Sequence, residues 1–162
     1  MYKQLAYFVV FAVTTSAVAG DIPTRFGTLK INDENMLPFK GRPLSPEIQG
    51  NNSLSVKGNY QLGASDVLLI HVLLIQDHGG VGCPAMLYFV AVSASGVKAT
   101  PAFGTCSDLV EVEQQDGGAV SVTMPGFMGP FESKAAQAKA AKQEYVYLYK
   151  NGLLTENGEP VK

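Results

Sequence analysis

The chain has little with which to do chemistry. Its 162 residues include only two cysteines and two histidines. There is no CxxC pair, the usual signature of thiol–disulfide exchange. There is no GxSxG elbow, the usual entry to an α/β-hydrolase site. Charge is sparse as well: 16% of the residues are Asp, Glu, Lys or Arg, and the formal net charge is −2. A mildly acidic chain argues against nucleic-acid binding, which relies on a basic patch. It argues equally against an electrostatic membrane anchor. No block of like charges marks a disordered tail, and no internal repeat or low-complexity linker divides the chain. No apolar run reaches the roughly 20 residues needed to cross a bilayer.

What is present begins with an export signal. Lys3 forms a short positive region, Leu5 to Val13 an apolar one, and Ala17-Val18-Ala19 fits the small-x-small rule for cleavage before Gly20. Residues 1–19 are therefore expected to leave as a signal peptide. No cysteine follows the cleavage point closely enough for lipid attachment. The mature chain is expected in the periplasm or secreted. Residues 20–162 carry eleven basic and fourteen acidic residues, net −3, and are expected to fold as one domain.

Periodicity predicts that this domain is mainly β. Asp21 to Arg25 reads as a leader, and Phe26 to Ile31 as a first strand. Leu37 to Ile48 holds Pro38, Pro43 and Pro46, so an edge segment or ordered loop is expected. Leu54, Val56, Gly58, Tyr60 and Leu62 alternate with polar residues, the mark of a half-buried strand. Asp66 to Ile75 (DVLLIHVLLI) does not alternate, which predicts a strand covered on both faces. Pro84 to Val92 and Val97 to Phe103 flank a turn at Ala94-Ser95. Leu109 to Glu113, the turn Asp116-Gly117-Gly118 and the stripe Val120, Val122, Met124 read as a hairpin. Ser133 is a candidate N-cap for a helix over Lys134 to Gln143. Glu144 to Lys150 (EYVYLYK) alternates again. Asn151-Gly152 predicts a tight turn into Leu153 to Thr155, after which the tail should fray. The fold expected is an antiparallel β-sandwich or partly open barrel with one short helix towards the C-terminus.

The most chemical stretch is Ile75 to Pro84, IQDHGGVGCP. Its cysteine has a ready structural role. Residue pairs across a turn centred on Ala94-Ser95 sum to 189, and so do Cys83 and Cys106. An exported pair of cysteines defaults to a disulfide. The expectation is a Cys83–Cys106 bridge at the open end of the hairpin, subject to a one-residue shift if Pro101 introduces a bulge. The competing reading makes His78 and Cys83, with Gly79 to Gly82, the site of a small hydrolase. His71 and His78 lie seven apart, on opposite faces of a strand, and match no metal-ligand spacing. Asn51-Asn52-Ser53 matches the glycosylation sequon, a pattern common by chance. Asp66, Asp108, Glu111 and Glu113 form no convincing catalytic pair.

The second feature is a tyrosine stripe. Tyr145, Tyr147 and Tyr149 share one strand face, and Val146 and Leu148 share the other. If the aliphatic pair faces the core, the tyrosines, together with His78, form a candidate binding surface. If the tyrosines cover the core, their hydroxyls reach out to water. No cofactor or metal is expected. The function expected is a non-enzymatic binding protein of the bacterial cell envelope: an inhibitor, an immunity-type protein or an accessory factor with an envelope or secreted protein as partner. The hydrolase stands as one alternative, and a carrier of a small apolar ligand held between sheets as another.

Overall fold

The computed structural model describes residues 20–30, 38–39, 42–43, 52–74 and 85–161. The expected signal peptide and the loop bearing Asp77, His78 and Cys83 lie outside the described residues. So does most of the proline-bearing segment 37–48. Within it, two short strands, β3 (Pro38–Phe39) and β4 (Arg42–Pro43), pair antiparallel. Their place in the sequence follows two strands at the N-terminus, β1 (Asp21–Thr24) and β2 (Gly27–Lys30).

The continuous apolar run forms the centre of the molecule. As β6 (Ser65–Leu74) it lies between β5 (Asn52–Leu62) and β7 (Ala85–Ser93), and β8 (Gly96–Ala99) completes an antiparallel sheet ordered β5-β6-β7-β8. Side chains alternate across a strand. Leu68, Ile70 and Val72 therefore enter one core, and Val67 and Leu69 a second. Burial on both faces is why the run lacks the polar alternation of a surface strand.

The first core is closed by the β1–β2 hairpin. Ile22 and Leu29 are cross-strand partners, both buried against the outer face of the sheet. The expectation of a loose leader over residues 21–25 is thus corrected. A single apolar residue on each short strand suffices, because partners directly opposite share one face.

The second core lies between this sheet and a five-stranded antiparallel sheet. Its strands are β9 (Glu111–Gln115), β10 (Ala119–Pro125), β11 (Glu144–Lys150), β12 (Leu153–Glu156) and β13 (Glu159–Pro160), ordered β13-β12-β11-β10-β9. The molecule is a mainly antiparallel β structure with one short helix, and its sheets do not close into a barrel. The helix α1 (Lys134–Ala140) starts where expected. Ser133 Oγ accepts the Ala136 N–H at 3.2 Å, and the burial of Ala140 brings the helix close to the sheet.

The alternating stripe of β5 does not all face one core. A bulge between Val56 and Gly58 shifts the pairing from Val56↔Ile70 to Gly58↔Leu69. One extra residue reverses the parity of every side chain beyond it. Leu54 and Val56 consequently pack in the first core, and Tyr60 and Leu62 against the second.

Tight turns behave as their residues require. Asn151 and Gly152 have φ of 52° and 82°, both in the left-handed region that a type I′ hairpin demands. The same chemistry recurs at Asn157-Gly158, with φ of 48° and 90°. This second turn corrects the expected frayed tail. It returns the chain as β13, and the Val161 N–H bonds to the Leu154 carbonyl at 3.0 Å.

Candidate ligand-binding cleft

Partner residues across an antiparallel pair share a face. In the β10–β11 ladder, Val120 faces Tyr149, Val122 faces Tyr147 and Met124 faces Tyr145. The apolar stripe of β10 is in the second core, so the tyrosines go with it. Tyr147 and Tyr149 are 3% and 5% exposed and Tyr145 is half buried, while Val146 is 37% exposed on the outer face. The candidate binding surface of Tyr145, Tyr147 and Tyr149 is corrected accordingly: the stripe packs the core. Phe89 stands at its centre, 4.7 Å from the Tyr149 ring and 5.3 Å from the Phe103 ring, and Phe103 is 4.9 Å from the Tyr147 ring. Such aromatic pairs add about 0.5–1.5 kcal/mol each beyond their burial. Burial raises the Tyr149 hydroxyl pKa. That of Tyr147 is pushed up to about 12, by burial first and then by the Glu156 carboxylate beside it.

The hairpin register behind the cysteine expectation holds for part of its length. Val90↔Ala99, Ala91↔Lys98, Val92↔Val97 and Ser93↔Gly96 all follow it. At Pro101, which has no N–H to donate, regular pairing stops. The Phe89 N–H bonds to Thr100 Oγ1 at 3.1 Å instead of to a carbonyl. Pairing resumes at Leu87↔Phe103, one residue out of step. Cys106 lies beyond this shift with φ of 71°, outside strand geometry. No described cysteine is a free thiol. Cys83 and His78 lie outside the described residues.

His71 occupies the second-core face of β6, between Ser55 and Leu87. Its Nδ1 is 3.5 Å from Ser55 Oγ, and its buried Nε2 has no hydrogen-bond partner among the described residues. Burial lowers its pKa, and Lys57 lowers it further, while Asp108 acts in the opposite sense. This arrangement fits a half-buried neutral imidazole. Among the described residues, no three of His, Cys, Asp and Glu converge on one point.

A concavity sits where the two sheets part. Four turns meet round it: Gly63-Ala64, the β7–β8 turn at Ser95, Gly117-Gly118 and Asn151-Gly152. The cleft holds about 790 Å³. Its floor is the end of the second core, with Val67, Ala91, Tyr149 and Leu154. Its rim carries Ser65, Ser93, Thr100, Asn151 and Thr155, and the one charged side chain lining it among the described residues is Lys98. The wall at Gly63–Ser65 is held from behind. Arg25 donates from Nη2 to the carbonyls of Gly63 and Ser65 at 3.2 and 2.8 Å. Its Nε and backbone N–H reach the buried Asp66 carboxylate at 2.6 and 2.5 Å. The Arg25–Asp66 pair was not expected from the sequence, whereas a ligand held between sheets was, without the residues that line it. Asp66, an acid opening an otherwise apolar run, was the one available signal.

No family model, curated protein or solved structure matches the chain.

Proposed function

We propose that this protein is an exported, non-enzymatic binding protein of the cell envelope, and that the inter-sheet cleft takes its ligand. The observation that carries the reading is the cleft itself. Its volume falls in the range of small-molecule sites, and its apolar floor and hydroxyl-bearing rim follow the usual division between affinity and orientation. Such a lining favours the carrier form of the reading: a small, mainly apolar ligand with one hydrogen-bonding or anionic end near Lys98. The rim residues lie at strand ends and turns, at the edge of the second core rather than in its centre.

Native mass spectrometry of protein purified under mild conditions is the direct test. A co-purified small molecule, released by denaturation and lost in Ala91→Phe, supports the proposal, since the added ring would occupy the floor. If the protein is ligand-free and takes up no apolar probe such as a fatty acid, the cleft reading fails. If His78→Ala abolishes a hydrolytic activity without changing stability, the non-enzymatic reading fails with it.

A further inference from the structure

A second surface lies away from the cleft, on the connection between β10 and β11. The segment after Pro125 reads GFMGPFES and forms no ladder. Phe127, Met128 and Phe131 are 41%, 45% and 82% exposed there. The loop is well defined nonetheless. Glu132 N–H bonds to the Gly129 carbonyl at 3.1 Å, and Gln137 Nε2 ties the carbonyls of Gly129 and Glu132 to the first turn of α1. The apolar side chains are therefore held outward on a pinned loop.

The helix beside it supplies charge. Ala140 is its buried residue. With about 100° per residue, Lys134 and Lys139 project from the opposite half of the helix, Lys142 follows in the turn after it, and all three are exposed. From Gly126 to Gln143 these three lysines stand against one glutamate, in a chain whose net charge is negative. An acidic protein has thus concentrated positive charge next to three exposed apolar side chains that follow one another closely in the chain, Phe131 being the most exposed large apolar residue described.

We infer that this loop and helix form a reversible docking surface for an anionic lipid bilayer. Protruding aromatic and thioether side chains can enter the acyl boundary without needing a matching pocket, as a protein partner would have to provide. Lysines on long apolar stems keep their ammonium groups at the level of the lipid phosphates. The contact is peripheral and rests on the local charge of this patch, which is opposite in sign to the charge of the whole chain. It would place the ligand cleft at a membrane surface, but it does not depend on the cleft being used.

The test is co-sedimentation of the purified protein with vesicles of phosphatidylglycerol and phosphatidylcholine in equal parts, and with vesicles of phosphatidylcholine alone. Binding to the anionic vesicles is expected, weakened by added salt. Phe127→Ser with Phe131→Ser should reduce it about tenfold per residue, and Lys134→Glu, Lys139→Glu and Lys142→Glu about fivefold or more each. All five positions are exposed, so the thermal transition should not move. The chain has no tryptophan, so Phe131→Trp adds a unique reporter whose emission should shift to the blue with anionic vesicles. No sedimentation, no blue shift or equal binding by both variants overturns the inference. A Phe131-dependent dimer in size-exclusion chromatography, without vesicle binding, overturns it in favour of a second copy covering the patch.

Discussion

Replacing Asp66 by Asn tests how the β1–β2 hairpin is held. Asp66 is 2% exposed and accepts from Arg25 twice, at Nε and at the backbone N–H. Asn has nearly the same volume, so no cavity is opened. One of the two Arg25 donors must then meet an amide NH₂ instead of an oxygen. A hydrogen bond to a charged group is worth about 1.5–3 kcal/mol, and breaking a buried pair from one side costs about 3–5 kcal/mol. The Arg25 side chain is 41% exposed and can recover water, which favours the low end. The expected loss is about 3 kcal/mol, a sizeable part of the roughly 5–15 kcal/mol that a domain possesses. At about 2–4 °C per kcal/mol, the thermal midpoint should fall by about 10 °C. Urea titration followed by circular dichroism gives the free-energy difference. Limited proteolysis adds the location: residues 20–30 should become cleavable below the global transition, because the hairpin is then held only by Ile22, Leu29 and Phe26 on the first core and by the half-exposed Arg25 bonds to Gly63 and Ser65. A loss below about 0.5 kcal/mol would refute the reasoning, since that is the range of an ordinary surface ion pair.

Alkali should unfold the protein through Tyr147. Its folded pKa of about 12 lies above the unfolded value of 10.0. The associated stability is therefore complete below pH 10 and lost as pH rises through 12. Tyr147→Phe should flatten that decline in an alkaline denaturation series. Gly126→Ala should cost about 1–3 kcal/mol in chemical denaturation, because a Cβ there would lie 2.5 Å from the Ala140 carbonyl oxygen at the end of α1. Titration of the unfolded, unreduced protein with a thiol reagent should find no free thiol. Reduction should then destabilise the fold by about 3 kcal/mol, as expected for closing a loop of about 24 residues between Cys83 and Cys106. Two reactive thiols before reduction would eliminate the bridge.

Much of the β architecture was legible from local signals. The hairpin turn at Asn151-Gly152 needs two residues tolerant of positive φ, and few sequences other than Asn-Gly supply them. The Ala94-Ser95 turn set the β7–β8 register correctly as far as Ala99, because a short turn leaves the strands no freedom to slide. DVLLIHVLLI could be read as a doubly covered strand, since exclusion of polar residues from both faces is a property of the strand itself. Signals of this kind act within a few residues and need no knowledge of what lies across the core.

Other features depended on long-range pairing. Nothing within EYVYLYK says which face is inward. That was decided by its pairing with Val120, Val122 and Met124 across an intervening helix, which drew the tyrosines into the core and left Val146 outside. The bulge at Val56/Gly58 is equally invisible in an unbroken alternation of apolar and polar residues. It exists because β5 must serve two cores on opposite sides of one sheet. Arg25 and Asp66 are far apart in the chain and meet only when the hairpin folds back. The cleft belongs to no segment at all, being the space left where four turns from two sheets fail to close over the end of a shared core. The sequence by itself determined the longer strands, the turns between them and the helix start, because those are set by backbone preference and side-chain period; the short terminal strands β1 and β13 read only as leader and tail. Which face each strand buries, and where a ligand could enter, were decided only when the two sheets packed together.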